Sequence, residues 1–184
     1  LVGSEMCIRD RYKAHIIKKA IGDKVSEIIY EPYCGLPQSV YCDVNIASRG
    51  NTYHREDLIT GKYNNVYFVQ SDLNVSSKNT GSEQRRTFTH FSGRWIVIDY
   101  PKKFSGTVIV KDKDFVGISR DDLEVITLEN PTFNEMFTVS TNDVQLGYYI
   151  LTPQLVERFM ELKQSSKGAI IACFKDGMLH IGIH

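Results

Sequence analysis

The chain has 184 residues, and its 22 basic residues balance 22 acidic ones. Hydrophobic residues make up 42% of it, which is the composition of a globular domain long enough to bury its own core. The zero formal net charge speaks against a general nucleic-acid binder, which usually carries a basic excess. No apolar run approaches the roughly 20 residues that a membrane helix needs.

The first eleven residues, LVGSEMCIRDR, are typical of a translated sequencing adapter. We therefore expect residues 1–11 to be foreign to the natural protein, residues 12–184 to form a single domain, and the natural chain to continue upstream. The alternative is a genuine N-terminal segment. Three cysteines follow residue 11, and none stands in a C-x-x-C pair. This usage predicts a reduced, intracellular chain without structural zinc.

The next segments predict a helix around Ile16–Ile21, a strand at Val25–Tyr30 and a short helix at Gln38–Val44. After a polar turn, Asp57–Tyr63 and Val66–Val75 are two strand-like runs. They are separated by Asn64-Asn65, a pair that tolerates positive φ, so we expect a β-hairpin there.

The middle of the chain continues as strands and loops. Ser76–Arg86 has no apolar residue and is predicted to be a solvated loop. Thr87–Tyr100 is predicted to be a strand, and Gly93 inside it indicates a bulge or a close backbone approach. Gly106–Val110 and Leu123–Leu128 are further strand-like runs.

The last third of the chain contains three predicted helix starts, each with a capping residue. They are Asn130-Pro131, Asn142 with Gln145 in a capping box, and Thr152-Pro153. The third start begins an amphipathic helix at about 153–165, whose apolar stripe includes Leu155, Phe159 and Leu162.

The chain closes on a predicted β-hairpin, in which Ala169–Lys175 and Met178–Ile183 flank the turn dipeptide Asp176-Gly177. Its register pairs Phe174 with Leu179, Ala172 with Ile181, and Ile170 with Ile183, giving one apolar face that the preceding helix should cover. Because no regular βαβ alternation occurs, the fold class is predicted to be α+β, a mostly antiparallel sheet with a few short helices.

Several motifs in this order resemble a known family. They are Asp57-Leu58-Ile59-x-Gly61-Lys62, Phe91-Ser92-Gly93-Arg94, Phe104-x-Gly106-Thr107-Val108, Leu128-Glu129-Asn130-Pro131-x-Phe133-x-x-x-Phe137 and Tyr149-Ile150-Leu151-Thr152-Pro153. From Tyr12 to His184 the chain resembles the bacterial family catalogued as domain of unknown function 3137. The resemblance implies a membrane protein with hydrophobic helices near its N-terminus and this domain on the cytoplasmic side. It implies no reaction, ligand or catalytic residue.

Candidate chemistry is sparse. The predicted hairpin register places Cys173 directly opposite His180, and an imidazole beside a thiol can assist nucleophilic catalysis. No third orienting residue is identifiable, so packing on the second, less apolar face of the hairpin is the favoured interpretation. Gly61-Lys62 lacks the flanking residues of a phosphate-binding loop. No catalytic residue, cofactor or metal site is therefore expected.

Three functions remain open at this stage. The leading hypothesis is a non-enzymatic domain of a membrane-anchored bacterial protein that binds or regulates a protein partner. The alternatives are an uncharacterised enzyme, with Cys173 and His180 as the least weak candidates for its site, and a small-molecule or lipid-binding module. The membrane would be reached through a missing upstream segment, no nucleic-acid partner is expected, and the sequence does not decide the oligomeric state.

Overall fold

A computed structural model of the chain describes residues 25–79 and 86–184. Nine strands lie within these ranges: β1 Val25–Glu31, β2 Thr52–Tyr63, β3 Val66–Asn79, β4 Arg86–Asp99, β5 Thr107–Asp112, β6 Glu124–Ile126, β7 Phe137–Thr141, β8 Ile170–Lys175 and β9 Met178–Ile183. Four helices lie there too: α1 Gln38–Asp43, α2 Pro131–Met136, α3 Val144–Ile150 and α4 Pro153–Ser165. The predicted helix at Ile16–Ile21 and the adapter-like residues 1–11 fall outside the described residues.

All nine strands join one antiparallel sheet in the order β1-β2-β3-β4-β9-β8-β5-β7-β6. The first four strands form a meander, and the C-terminal hairpin joins it to the remaining three strands. The predicted antiparallel sheet with few short helices is therefore confirmed, although the sheet dominates the architecture more than the class α+β suggests.

Both predicted hairpins form at the expected dipeptides. Asn64 and Asn65 have φ of 49° and 64°, and Asp176 and Gly177 have φ of 51° and 75°. Two consecutive residues with positive φ are what a two-residue type I′ turn requires. The C-terminal register is confirmed residue for residue: Phe174 with Leu179, Ala172 with Ile181, and Ile170 with Ile183.

The sheet is covered on both faces, and each face carries its own hydrophobic core. We call the face under α2, α3 and α4 the helical face. Its core includes Val156 and Phe159 of α4 packed with Ala172 and Phe174 of β8, so the prediction that α4 covers the apolar face of the hairpin is confirmed. The core of the opposite face includes Leu36, Tyr41, Val44, Phe91, Trp95, Phe115, Ile171 and Cys173.

The second face of the hairpin, predicted to be the less apolar one on which Cys173 and His180 pack, is covered by α1 and the segment after it. Two details of the sequence-based prediction are wrong. Ser76–Asn79 continues β3 instead of beginning a loop, and Ser76 is buried, because pairing with β4 satisfies its backbone. The cap of α3 is Asp143, since the Asn142 side chain accepts the Thr107 N–H at 2.8 Å instead.

Candidate functional site

The Cys173–His180 pair lies where the register placed it. The two residues are direct partners across β8 and β9. Cys173 is fully buried in the core opposite the helical face, and His180 keeps 9% of its surface exposed. Within the described residues, His180 Nδ1 and the neighbouring Trp95 Nε1 have no hydrogen-bond partner.

Burial keeps this pair uncharged. Desolvation raises the pKa of the Cys173 thiol to about 12 and lowers the pKa of His180 to about 4. At neutral pH the thiol therefore stays protonated and the imidazole stays neutral, whereas nucleophilic chemistry needs the thiolate. The strand register pairs the two residues as predicted, but their buried environment favours packing over reaction. An enzymatic role for the pair stays a prediction.

The described residues also bear on metal binding and on membrane crossing. Among residues 25–79 and 86–184, no group of three His, Cys, Asp or Glu side chains is arranged to hold a metal ion. None of the helices described there is both long and apolar enough to cross a membrane.

A half-open cleft of about 670 Å³ lies on the helical face, between the start of α2, the end of α3 and the start of α4. Its volume falls in the range of ligand-binding clefts. Leu128, Leu151 and Val156 are buried and form its floor. The exposed part of the lining comprises Glu129, Pro131, Tyr148, Pro153 and Glu157.

Short-range hydrogen bonds hold the walls of this cleft. The Asn134 side chain donates to Leu128 O at 2.7 Å and accepts from Leu128 N at 3.1 Å. Asn130 caps α2 by accepting from Phe133 N, and Thr152 caps α4 by accepting from Leu155 N. The walls are therefore preformed by the same caps that begin the helices.

The cleft is the feature that sequence reasoning missed. Its lining comes from Leu128–Pro131 and Leu151–Pro153, two motif segments that we interpreted only as helix starts. Both segments contain a leucine that lies one or two positions before a capping residue followed by a proline. That repeated pattern was the available signal, because each leucine lies where the chain turns into a helix beside the other.

A second hollow, of about 700 Å³, opens on the sheet between β2, β3 and β4 and the end of β9. Two of the charged side chains that line it pair with each other, since Arg94 Nε and Nη2 donate to the Asp72 carboxylate at 2.9 and 3.3 Å. His54 and Glu56 line it as well, and both are exposed. The cleft beside α4 is the better candidate, because its apolar floor is built from buried side chains.

Comparison with known proteins agrees with the resemblance noted from the motifs. Residues 89–184, just over half of the chain, match the family model described as "Protein of unknown function (DUF3137)". No curated protein matches the chain. Among solved structures, the fold is similar to the crystal structure of the mycobacterial trehalose monomycolate transport factor A, TtfA, at 8% sequence identity and a TM-score of 0.52. The match covers 85% of this chain and 74% of that one, and at this identity it shows a shared fold alone.

Proposed function

Because the chain belongs to the DUF3137 family of proteins of unknown function, we propose its function from the geometry of the cleft. The domain is a non-enzymatic binding module of a membrane-anchored bacterial protein, and it holds a segment of a protein partner on the cytoplasmic side. The cleft between α2, α3 and α4 is its binding site.

The single observation that carries this proposal is the composition of the cleft. A floor of buried apolar side chains lies below an exposed tyrosine and two exposed glutamates. Protein-binding sites combine an apolar centre with a polar rim, and tyrosine is enriched in them.

Crosslinking in the native host tests the proposal. The photoreactive residue p-benzoylphenylalanine replaces Tyr148 at the cleft in one variant of the intact protein, and Tyr67 on β3 in a matched control. We expect a protein adduct from position 148 and not from position 67. The purified partner should then bind Tyr148→Ala at least tenfold more weakly than wild type, while Tyr67→Ala binds normally. No adduct from position 148, or equal adducts from both positions, would overturn the proposal.

The membrane anchor has a separate test. It is supported by the family resemblance, which implies hydrophobic helices before this domain. We expect the intact gene to encode an apolar segment of roughly 20 residues upstream of residue 12. An intact reading frame without such a segment would contradict the anchor and leave the cleft proposal standing.

A second candidate function is the binding of an amphiphile by the same cleft. It is supported by the apolar floor and by the fold shared with the mycobacterial transport factor. Titration with a dansyl-labelled fatty acid checks it: saturable one-to-one binding that Tyr148→Ala weakens would favour this function. A fluorescence change that does not saturate would exclude it.

A further inference from the structure

The geometry points to the mode in which the partner binds. This inference rests on the proposed function. We infer that an extended, basic segment of the partner adds as a strand to the outer edge of β6. It places an apolar side chain in the cleft and its lysine or arginine residues beside Glu124, Glu129 and Glu157.

The first observation is an open sheet edge. β6 is the last strand of the sheet, and within the described residues it pairs only with β7. Val125 at its centre exposes 68% of its surface on the side of the sheet opposite to its buried neighbour Ile126, so no described residue covers this strand there. Extended peptides bind to such edges through main-chain hydrogen bonds, and pockets beside the edge select their side chains.

The second observation is that this edge runs directly into the cleft. Only Thr127 separates β6 from Leu128 on the cleft floor. The Tyr148 hydroxyl donates to Thr127 O at 3.2 Å, so the exposed tyrosine ring is held at the junction between edge and cleft. Because alternate residues of a strand point to the same side, one apolar residue of an added strand can enter the cleft while its neighbours face the rim.

The third observation is the charge around the edge and the cleft. Glu124, Glu129 and Glu157 are exposed, and none of them forms an ion pair among the described residues. Two basic residues lie close to the cleft lining: Arg158, next to Glu157 in α4, forms an ion pair with Glu161, and Lys102 Nζ donates to Tyr149 O at 3.0 Å.

This surplus of negative charge attracts lysine and arginine. It also disfavours the anionic headgroups that dominate the charge of cytoplasmic membrane leaflets. The charge complementarity therefore selects a basic protein segment over an anionic amphiphile as the occupant.

A synthetic peptide tests the inference. The probe is a fluorescein-labelled peptide of eight residues in which lysine alternates with valine and leucine, and binding to the full chain is followed by fluorescence polarisation. We expect saturable binding that weakens at least tenfold in the double variant Glu129→Lys, Glu157→Lys. The control Glu31→Lys has the same kind of charge reversal on β1, at the opposite edge of the sheet, and should bind as wild type does.

Two altered peptides separate charge from strand addition. Replacing every lysine by glutamate should abolish binding, and equal binding of the two peptides would overturn the charge complementarity. N-methylation of alternate backbone amides removes the main-chain donors and should weaken binding at least tenfold. Unchanged affinity of the N-methylated peptide would overturn strand addition.

Failure of this inference is distinguishable from failure of the proposed function. If the peptides fail but the crosslink from position 148 finds a partner, the cleft binds protein by another mode and the strand-addition inference is overturned. If that crosslink fails, the proposed function is overturned whatever the peptides do.

Discussion

Asp112 connects three parts of the fold through one buried carboxylate. Its Oδ1 accepts the Asp114 N–H at 3.0 Å, its Oδ2 accepts the Ile170 N–H at 3.3 Å, and the same oxygen forms an ion pair with Lys163 of α4. The hydrogen bond to Asp112 raises the pKa of Lys163. A single side chain thus ties the end of β5 to the helix and to the start of the C-terminal hairpin.

We expect Asp112→Ala to lower the free energy of unfolding by about 3 kcal/mol, because it leaves the buried Ile170 N–H without an acceptor and leaves Lys163 only the exposed Asp114 as a partner. Asp114→Ala is the matched control. Asp114 reaches the same lysine at 3.3 Å, but its side chain is 81% exposed, so its loss should cost less than about 1 kcal/mol. Urea unfolding of both variants is the measurement, and equal losses would contradict this account.

His180 gives the protein a pH dependence whose sign follows from its burial. Its pKa falls from an ordinary 6.5 to about 4 in the folded chain, mainly through desolvation, with Lys175 lowering it further and Asp43 and Asp176 opposing the shift. The unfolded chain therefore binds more protons between these two values. The stability contributed by neutral His180 is complete above pH 6.5 and is lost as the pH falls toward 4.

This shift predicts a loss of about 2 kcal/mol attributable to His180 between pH 7.5 and pH 5. Urea unfolding at several pH values should show a flatter profile for His180→Gln than for wild type. A wild-type slope in His180→Gln would refute the assignment.

At the level of strands and helices, close backbone contacts decide which residues fit. Gly93 was predicted to mark a bulge or a close approach. The bulge in the pairing of β3 with β4 lies elsewhere: Val75 pairs with Phe91 and Ser76 with Thr89, so His90 is an extra residue of β4. Gly93 is the close approach, because a Cβ there would lie 2.0 Å from the carbonyl oxygen of Ile183 in β9.

Gly93→Ala should therefore force β4 and β9 apart and cost about 3 kcal/mol, at the upper end of ordinary point substitutions. Gly177→Ala in the hairpin turn is a useful comparison. That glycine has a φ of 75° but nothing within 4 Å of an added Cβ, so only backbone strain of about 1 kcal/mol applies. Thermal or urea unfolding ranks the two variants, and the reverse order would contradict the contact argument.

At the scale of the whole molecule, the main feature of the described residues is one sheet shared by two hydrophobic cores. Ile170, Ala172 and Phe174 of β8 belong to the core of the helical face, while Ile171 and Cys173 belong to the opposite core. Neighbouring residues of one strand thus hold both cores. Neither core can lose this strand without disrupting the other, so cooperative unfolding is expected.

Phe159→Ala tests this coupling. Phe159 packs near Phe137 and Phe174 on the helical face, with ring centroids 6.2 and 6.4 Å away, and its truncation should cost about 3 to 5 kcal/mol. Trp95 reports from the opposite core, yet its fluorescence midpoint should shift as much as the circular-dichroism midpoint. The half-exposed Phe88 is the control, and Phe88→Ala should cost less than about 1 kcal/mol. Separate midpoints for the two probes would show that the cores unfold independently.

Much of this architecture can be predicted from the amino-acid sequence alone, because its causes are local. Asn64-Asn65 and Asp176-Gly177 specify their turns because few dipeptides tolerate two positive φ angles. Alternating apolar residues then set the register of the closing hairpin, and Asn130 and Thr152 with their prolines begin two helices. These features depend on residues adjacent in the chain, so their physical causes are local.

Only the tertiary structure decided how distant segments meet. The strand order, the second core over Cys173 and the cleft between Leu128 and Leu151 all depend on contacts between segments far apart in sequence. Asn142 and Asp143 show the same limit at close range, since either could cap α3. Asp143 caps the helix by accepting a hydrogen bond from Leu146 N, because the Asn142 side chain already accepts the backbone N–H of Thr107, 35 positions away. Free energies of such long-range contacts are not encoded in any local pattern, because they depend on which surfaces folding brings together.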